Sequence, residues 1–334
     1  MLHRAYVSAG FGAFYWVKFW ENIPSMISPV FYDKCGPIYL AKLSGKLRLS
    51  LPLPKVKRRE HIVAVGDEVL AQITPNFALI EEILPRKNSF CRASHERRQV
   101  LAANVDQILL ILSFSTPPLN HRFADRILCE ATLSFIPVII AINKKDLFAY
   151  LNTRDKEMAR ALAFLYQSLG YSVLEESFHE KVSLELEKAL LGRRTLFLGQ
   201  SGVGKSTLLN LLAKEEIQKV DQQQIKFKGR HTTVNAILYS LGQETEIIDV
   251  PGLREFGLQH RSKEEIRHGF VEFHGLSCRF ENCLHMEEPG CAVREAVNQK
   301  LISPLRYDSY VDILLSHEES FKPRKGDYRR GLRR

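Results

Sequence analysis

Two hydrophobic patterns divide the chain near residue 98. Up to about residue 92, short apolar and β-branched runs alternate with turns rich in glycine, proline and asparagine. Short strands at this spacing predict a small antiparallel β-barrel. The predicted strands cover residues 5–8, 14–19, 38–43, 46–51, 61–65, 68–73 and 78–83.

Beyond residue 98, long apolar runs alternate with helical periodicity. Apolar strands that alternate with helices indicate a mainly parallel sheet covered on both faces. The predicted strands are 105–115, 137–143, 172–175, 195–199, 236–240 and 246–250. The predicted helices are 122–132, 153–169, 184–190 and 206–212. A third, helix-rich region spans residues 262–316.

Charge changes this picture at two places. The chain has 47 Lys and Arg residues against 38 Asp and Glu residues, which gives a net charge of +9. Its composition, with 45% apolar and 25% charged residues, excludes intrinsic disorder of the whole chain. Residues 321–334 hold seven basic residues and one aspartate, and residues 51–59 form a basic loop with two prolines. Both segments are expected to bind a polyanion, although a solvated loop without a ligand is the alternative for residues 51–59.

The N-terminal apolar stretch, residues 5–17, follows His3 and Arg4 as in a signal peptide. Gly10 and Gly12 interrupt it and no small-residue cleavage site follows, so we expect no signal peptide. The longest other apolar runs, 108–112 and 136–142, are far shorter than the roughly 20 residues that span a bilayer. We therefore expect a soluble cytoplasmic protein with no membrane partner. No long heptad seam indicates a coiled-coil dimer, and we expect a monomer.

The segment GQSGVGKS at residues 199–206 matches G-x-x-x-x-G-K-[ST] between a predicted strand and a predicted helix. In that context backbone N–H groups cradle phosphates, Lys205 reaches the β and γ oxygens, and Ser206 offers a hydroxyl to Mg²⁺. The nucleotide-binding residues predicted here are Gly199, Gln200, Ser201, Gly202, Val203, Gly204, Lys205, Ser206 and Thr207.

Two further loops complete a nucleotide site. In DVPG at residues 249–252, Asp249 is placed to hold a magnesium-bound water and the Gly252 N–H to face a γ-phosphate. In NKKD at residues 143–146, Asp146 can accept from both N–H groups of guanine, which adenine cannot supply. Asn143 is expected to brace the loops, and the Lys144 stem to lie along the base. The predicted nucleotide is GTP, bound with Mg²⁺.

The order of these motifs is permuted. The base-reading loop precedes the phosphate loop, whereas ordinary P-loop GTPases have the reverse order. A site built from loops at one sheet edge tolerates such a permutation, because domain termini lie at the surface and often close together.

Three of the six cysteines crowd with one histidine in a short segment, and the cysteines are too sparse for a disulfide scaffold. Cys278, Cys283, His285 and Cys291 offer three thiolates and an imidazole, a tetrahedral set suited to one structural Zn²⁺. A chance cluster of reduced cysteines and an iron–sulfur site are the alternatives. Cys35, Cys91 and Cys129 are expected to be packing residues.

Taken together, the chain resembles the ribosome small-subunit-dependent GTPase A family over nearly its whole length. The matching motifs are GKLR at 45–48, VGD at 65–67, LPRKN at 84–88, ANVD at 103–106, GRHTT at 229–233, DVPGLREF at 249–256 and the Cys/His segment at 278–291. The resemblance implies a multidomain fold: an N-terminal OB-type β-barrel, a central circularly permuted α/β P-loop GTPase domain and a C-terminal helical zinc-binding domain. We expect boundaries at 1–92, 93–260 and 261–320, with a basic tail at 321–334.

The family implies a GTP hydrolase that assists late maturation of the small ribosomal subunit and is stimulated by it. Its first switch corresponds to residues 229–233, so Thr232 or Thr233 would contact Mg²⁺ and the γ-phosphate. Leu253 stands where many GTPases place a water-orienting glutamine. We therefore hypothesise that His231 positions the attacking water and that Lys205 and Mg²⁺ supply electrostatic catalysis; a solvated imidazole is the alternative.

One departure from the family concerns the loop that supports guanine. The family has a serine followed by a small residue, whereas this chain has Ser177 followed by Phe178, so Ser177 is a weak candidate for the base site.

Ribosomal RNA is the expected partner, contacted mainly through phosphates. The expected contacts are Lys46, Arg48, Lys55, Lys57, Arg58 and Arg59, the linker at 86–98 and the tail. Two rival functions remain open from the sequence: a GTP-gated RNA-binding scaffold with negligible hydrolysis, and a zinc-thiolate redox sensor.

Overall fold

The computed structural model describes residues 1–21, 27–33, 35–50, 63–94, 97–213 and 236–320. The chain forms two compact units. The first consists of Met1–Cys91, Gln99–Leu119 and Ile136–Arg254. The second consists of Arg92–Arg98, Asn120–Phe135 and Glu255–Arg334. No helix among the described residues is long and apolar enough to cross a membrane.

The first unit contains a closed barrel of five strands, which confirms the predicted OB-type barrel. Its strands run in the order β1-β2-β4-β6-β5 and return to β1. Alternate side chains point inward to a buried core that includes Val7, Val17, Ala41, Val69 and Ile80. The strands are β1 (Leu2–Phe11), β2 (Phe14–Phe19), β4 (Gly36–Leu43), β5 (Glu68–Ile73) and β6 (Ala78–Ile83), with a short β3 (Phe31–Asp33) paired to β4.

The barrel differs from an all-antiparallel one in a single pairing. Strand β4 runs parallel to β6, with Ala41 opposite Ala78, while the other barrel pairs are antiparallel. A parallel pair needs a long crossover connection, and residues 44–77, which include β5, supply it.

The prediction of a strand at residues 46–51 is wrong. Residues Gly45–Ser50 form helix α1, because the Ser44 hydroxyl accepts the Leu47 N–H at 3.1 Å as an N-cap. Leucines alternating with polar residues imitated a strand, and Leu47 packs against the barrel core. The strand predicted at 61–65 is also absent from its described part, residues 63–65, which lead into a turn at Gly66. The whole basic loop at 51–59 and all the side chains of residues 48–62 lie outside the described residues.

The first unit continues into a second sheet, in the order β11-β10-β9-β12-β14-β13. All neighbours pair in parallel except β13, which is antiparallel to β14. Every residue of β9 is buried, which explains the continuous apolar run in the sequence. The strands are β9 (Gln107–Ser113), β10 (Val138–Asn143), β11 (Ser172–Glu175), β12 (Arg194–Leu198), β13 (Ile237–Ser240) and β14 (Glu246–Asp249).

In the part of the first unit that the structure describes, helices α3, α4 and α5 and one 3-10 segment accompany this sheet. Helix α3 (Thr153–Ser168) begins after the Asn152 cap, α4 (Leu184–Leu190) after the Ser183 cap, and α5 is Lys205–Ala213. The 3-10 segment Lys145–Tyr150 follows β10. These helices match the predicted ones at 153–169, 184–190 and 206–212.

The segment expected as a basic linker contains a two-stranded ribbon. Strands β7 (Ser89–Ser94) and β8 (Arg97–Ala103) pair with each other and form a separate sheet. Many charged and small residues concealed the alternation that would have indicated these strands.

Apart from the ribbon residues within Arg92–Arg98, the regular elements that the structure describes in the second unit are helical. It contains α2 (His121–Leu133), α6 (Lys263–Arg267), the 3-10 turn Val271–Phe273, α7 (Ala292–Asn298) and α8 (Pro304–Ser320). Buried ion pairs join α2 to the C-terminal elements. Arg306, 1% exposed, donates to Asp125 at 2.6 Å and to Glu272 at 2.6 and 3.0 Å. The side chain of Glu130 accepts two bonds from Arg261, both at 2.9 Å.

Candidate nucleotide site and metal centre

The phosphate loop lies between β12 and α5, as the motif predicts. Gly202 and Gly204 have φ angles of +83° and +107°, which L side chains rarely adopt. The buried Lys205 donates its ammonium to the carbonyl oxygens of Gly199 at 2.8 Å and Gln200 at 3.1 Å. Ser206 and Thr207 are exposed on the first turn of α5. This turn can present backbone N–H groups, an ammonium and a hydroxyl to an anion.

Burial lowers the pKa of Lys205, and the nearby charge of Asp249 opposes that shift. The register of β12 and β14 explains the proximity, because Asp249 pairs with Phe197 just before the phosphate loop. Both strands are parallel, so their carboxyl ends meet at the same sheet edge.

The DVPG loop touches the phosphate loop directly. A Cβ on Gly252 would lie 2.8 Å from the Cα of Ser201, so only glycine fits there. The Leu253 N–H donates to the Gly199 carbonyl at 3.2 Å, and the Leu253 side chain is buried. Leu253 therefore packs inside the protein and has no polar group to orient a water.

Asn143 joins the base-reading loop to the phosphate loop. Its side-chain amide donates to the Val203 carbonyl at 2.8 Å, and its oxygen accepts the Phe178 N–H at 2.9 Å. A Cβ on Gly204 would lie 2.3 Å from the Asn143 amide nitrogen. The three loops predicted to form one site are thus in contact.

Asp146 lies exposed at the start of the 3-10 segment, where the Ser177 hydroxyl donates to its carboxylate at 2.7 Å. Lys144 adopts a left-handed backbone with φ of +66° and donates its ammonium to the Thr116 carbonyl. Ser177, the weak candidate from sequence, therefore orients the carboxylate expected to read guanine. Thr116 carries no sequence signal that could have indicated its contact.

Phe178 stands where the family has a small residue, and it is buried. Its side chain is 1% exposed and belongs to the same hydrophobic cluster as Val203 and Leu208. Its ring packs against the phosphate loop near Val203 and Gly204, a contact that the sequence did not indicate. The predicted residues His231, Thr232 and Thr233 lie outside the described residues.

The four predicted metal ligands converge in the second unit. The ligand atoms of Cys278, Cys283, His285 and Cys291 all lie within 4.8 Å of one another. His285 Nδ1 is 3.4 Å from the sulfurs of both Cys278 and Cys291. Three thiolates and one imidazole fit a tetrahedral metal ion with all four positions filled by protein.

The thiols respond differently to their surroundings. Burial raises the pKa of Cys283 to about 12. Burial also acts to raise the pKa of Cys278, but the N–H groups of Ala292 and Val293, together with the side chains of Cys283 and Cys291, lower that pKa overall. A metal ion bound by the Cys283 thiolate would have to displace the proton of that thiol.

Residues that no pattern indicated hold this cluster in place. The Glu288 carboxylate accepts the N–H groups of Leu284 and Met286 at 2.7 and 2.8 Å. The Tyr307 hydroxyl donates to the His285 carbonyl at 2.7 Å. The ligand loop is therefore anchored through its backbone, which a search for metal-binding residue types does not detect.

The fold and the motif geometry define a P-loop GTPase of circularly permuted type. Residues 83–259 match the family model described as RsgA GTPase. Small ribosomal subunit biogenesis GTPase RsgA 2 of Bacteroides thetaiotaomicron is 38% identical over 294 residues, covering 85% of this chain and 92% of that protein. Small ribosomal subunit biogenesis GTPase RsgA of Haemophilus influenzae is 38% identical over 275 residues, covering 79% of this chain and 78% of that protein.

Two solved structures have the same architecture. YjeQ from Thermotoga maritima superposes with a TM-score of 0.70 at 28% identity, covering 95% of this chain and 99% of that one. YloQ, a circularly permuted GTPase, gives a TM-score of 0.65 at 25% identity and covers 97% of each chain. The chain belongs to the RsgA GTPase family and is a GTP hydrolase, which confirms the resemblance found in the sequence.

Proposed function

We propose that this GTPase binds the small ribosomal subunit, assists its late maturation and hydrolyses GTP to GDP and phosphate when that subunit stimulates it. The observation that carries the proposal is the contact of Asn143 with both the phosphate loop and the base loop, in a chain similar over most of its length to two small-subunit biogenesis GTPases. Such an assembled site can bind GTP before any partner arrives.

The proposed nucleotide contacts follow from the site geometry. Backbone N–H groups of residues 199–204 and the Lys205 ammonium hold the phosphates, while Asp146 reads guanine with Ser177 behind it. Ser206, with Thr232 or Thr233, supplies oxygen ligands for Mg²⁺, a hard cation that prefers oxygen. Asp249 holds a magnesium-bound water, and Gly252 contributes its N–H to the γ-phosphate.

For the hydrolytic step we assign His231 to position the attacking water. The buried, apolar Leu253 supports this assignment because it removes the usual alternative. Lys205 stabilises the charge that develops on the phosphate oxygens.

The Cys278, Cys283, His285 and Cys291 cluster holds one structural Zn²⁺ in this proposal. Cys283→Ser should lower the zinc content from one ion per chain and unfold the surrounding loop, because structural zinc contributes folding free energy directly. Atomic absorption of the purified protein measures the metal, and far-ultraviolet circular dichroism measures the fold. Cys35 is exposed, so the expectation that it packs is wrong, whereas Cys91 and Cys129 are buried. Cys35→Ser, outside the cluster, is the control and should keep both the zinc and the fold. Full zinc retention in Cys283→Ser would contradict the assignment.

We infer that the protein recognises ribosomal RNA on the surface of the subunit. It acts there in the cytoplasm and as a monomer. The net charge of +9 supports phosphate contacts, which weaken steeply as salt rises. Co-sedimentation with purified small subunits in a GTP analogue that resists hydrolysis tests the partner. We expect binding at 50 mM salt and much weaker binding at 200 mM, with large subunits as the control. Equal binding to both subunits would reject the proposed specificity.

A GTP-gated scaffold with negligible hydrolysis is the second candidate. It is favoured by Leu253, since a chain without a water-orienting glutamine can bind GTP and turn it over very slowly. Turnover in the presence of small subunits separates the two candidates.

A further inference from the structure

A cleft opens beside the metal-ligand cluster of the second unit. Its volume is about 510 Å³, and it is lined by Arg267, His268, His274, Leu276, Phe280 and Glu281, together with neighbouring backbone and cluster residues. A cavity of this size accommodates a nucleotide-sized group. None of these six residues has a role in the nucleotide site described above.

Two large apolar side chains are exposed in this cleft. Leu276 is 39% exposed and Phe280 is 42% exposed, four residues apart in the loop that carries Cys278. The guanidinium of Arg279 lies 5.6 Å from the centre of the Phe280 ring. An aromatic ring with a cation beside it is a stacking surface for a nucleobase.

Positive charge is fixed in the wall of the same cleft. Arg267 donates to the carbonyl oxygens of Glu281 at 2.6 Å and Cys283 at 3.1 Å, so its guanidinium is tied to the ligand loop. A ring nitrogen of His274 lies 2.9 Å from the His268 carbonyl, which fixes the imidazole there. Arg267 can therefore face a phosphate without first being ordered.

The observations favour RNA over a peptide. Within residues 268–285, all of which the structure describes, there is no strand whose edge an extended peptide could join. A base needs only the flat face of Phe280 and one phosphate contact, and that phosphate has to lie on the Arg267 side of the cleft, away from the Glu281 carboxylate in the lining. The scale of the cleft also fits one unstacked nucleotide.

We propose that this cleft binds one unstacked nucleotide of single-stranded RNA, with the base on the face of Phe280 that Arg279 does not cover and its phosphate near Arg267. This inference rests on the proposed function, because the single-stranded RNA would be ribosomal RNA of the small subunit. The metal-ligand loop then positions the stacking residue as well as stabilising the fold.

The test uses the full-length protein and a fluorescein-labelled RNA of ten adenosines. Phe280→Ala should weaken binding about tenfold, as removal of one stacking ring does, while Phe280→Trp should retain it. Phe135→Ala, which removes a 92% exposed phenylalanine of the same unit, is the matched control and should bind as the unaltered chain does. Zinc content and circular dichroism must be equal in all variants.

A second readout locates the RNA, because the barrel and the tail are also expected to bind it. Bound RNA should quench the added tryptophan emission of Phe280→Trp but leave that of Phe135→Trp unchanged. Equal affinities for Phe280→Ala and Phe135→Ala, or no quenching of Phe280→Trp by bound RNA, would overturn the proposal. Binding of a ten-residue glutamate peptide that depends on Phe280, without RNA binding there, would assign the cleft to acidic peptides instead.

Failure of this inference is distinguishable from failure of the proposed function. If small subunits bind and stimulate the protein but Phe280 makes no difference to RNA affinity, only the cleft assignment falls. If small subunits neither bind nor stimulate, while Phe280 still governs RNA affinity, the cleft stands and the proposed function falls.

Discussion

Asn143 shows how single residues assemble the nucleotide site. Its amide bonds to the Val203 carbonyl and the Phe178 N–H across 60 and 35 residues of chain. Because the amide needs the space in which a Cβ of Gly204 would stand, the glycine and the asparagine depend on each other. The N-K-x-D pattern predicted that Asn143 would brace the loops, but no pattern could identify the two atoms it bonds.

Asp146 is the residue on which base selection should depend. Asp146→Asn replaces an acceptor of two guanine N–H groups by a side chain with one acceptor and one donor group, so we expect GTP affinity to fall by at least about 100-fold. Xanthosine triphosphate, which carries a carbonyl where guanine has its amine, should bind the variant better than GTP. Ser177→Ala should cost about tenfold, because it removes one hydrogen bond to a charged group.

Glu180→Gln, an exposed carboxylate change in the loop after Ser177, serves as the control for Asp146→Asn. Affinities for fluorescent GTP and xanthosine triphosphate analogues provide the comparison. An Asp146→Asn protein that retained its GTP preference would show that this carboxylate does not read the base.

At the scale of elements, most of the parallel sheet could be predicted, but parts of the barrel could not. Buried strands such as β9 have continuous apolar runs, and tertiary packing only adjusts their ends. Helix α1 was missed because Leu47 and its neighbours alternate like a strand, while one capping bond from Ser44 decides the local structure. The ribbon of β7 and β8 is stabilised by pairing with itself, which no local pattern reveals.

The barrel and the α/β sheet meet closely at Gly66. Its N–H donates to the Val7 carbonyl at 2.8 Å, and its own carbonyl accepts from Asn104 at 2.9 Å and from Arg194 at 3.1 Å. At Ala9 and Ile237, β1 also pairs with β13, so the two sheets are continuous within the first unit. The junction is therefore closed by backbone contacts that leave no room for a side chain.

Gly66→Ala should lower the free energy of unfolding of the first unit by at least about 2 kcal/mol more than Gly192→Ala. Both glycines have positive φ angles, +90° and +67°, so both variants carry backbone strain. Only at Gly66 would the Cβ also lie 2.1 Å from the Ala103 carbonyl oxygen, whereas Gly192 has open space. Urea unfolding followed by tryptophan fluorescence measures the difference, and equal midpoints would refute the packing account.

At the scale of the whole molecule, charge pairs link segments that are far apart in sequence. Arg306 on α8 bonds to Asp125 on α2, a separation of 181 residues, and both side chains are 1% exposed. Nothing in the sequence marks this pair as buried, because arginine and aspartate residues on a protein surface look the same in a sequence. The motif order, in contrast, predicted the permuted architecture, since each motif is short and contiguous.

Arg306→Met should destabilise the second unit by about 3–5 kcal/mol, because it leaves the buried carboxylates of Asp125 and Glu272 without this cation. Differential scanning calorimetry should show a lower transition temperature. Arg294→Met, which alters an exposed arginine of the same unit, should change the transition little. Similar transitions for the two variants would mean that the ion pairs contribute no net stability.

We propose that the small ribosomal subunit activates GTP hydrolysis at this site. The most direct measurement is phosphate release by the purified protein alone, with small subunits and with large subunits, using Lys205→Ala as the inactive control and His231→Ala as the test of the attacking-water assignment. We expect slow turnover by the protein alone, strong stimulation by small subunits only, and loss of that stimulation in both variants. Tight GTP binding without any stimulation by small subunits would rule out a subunit-activated GTPase and favour the GTP-gated scaffold.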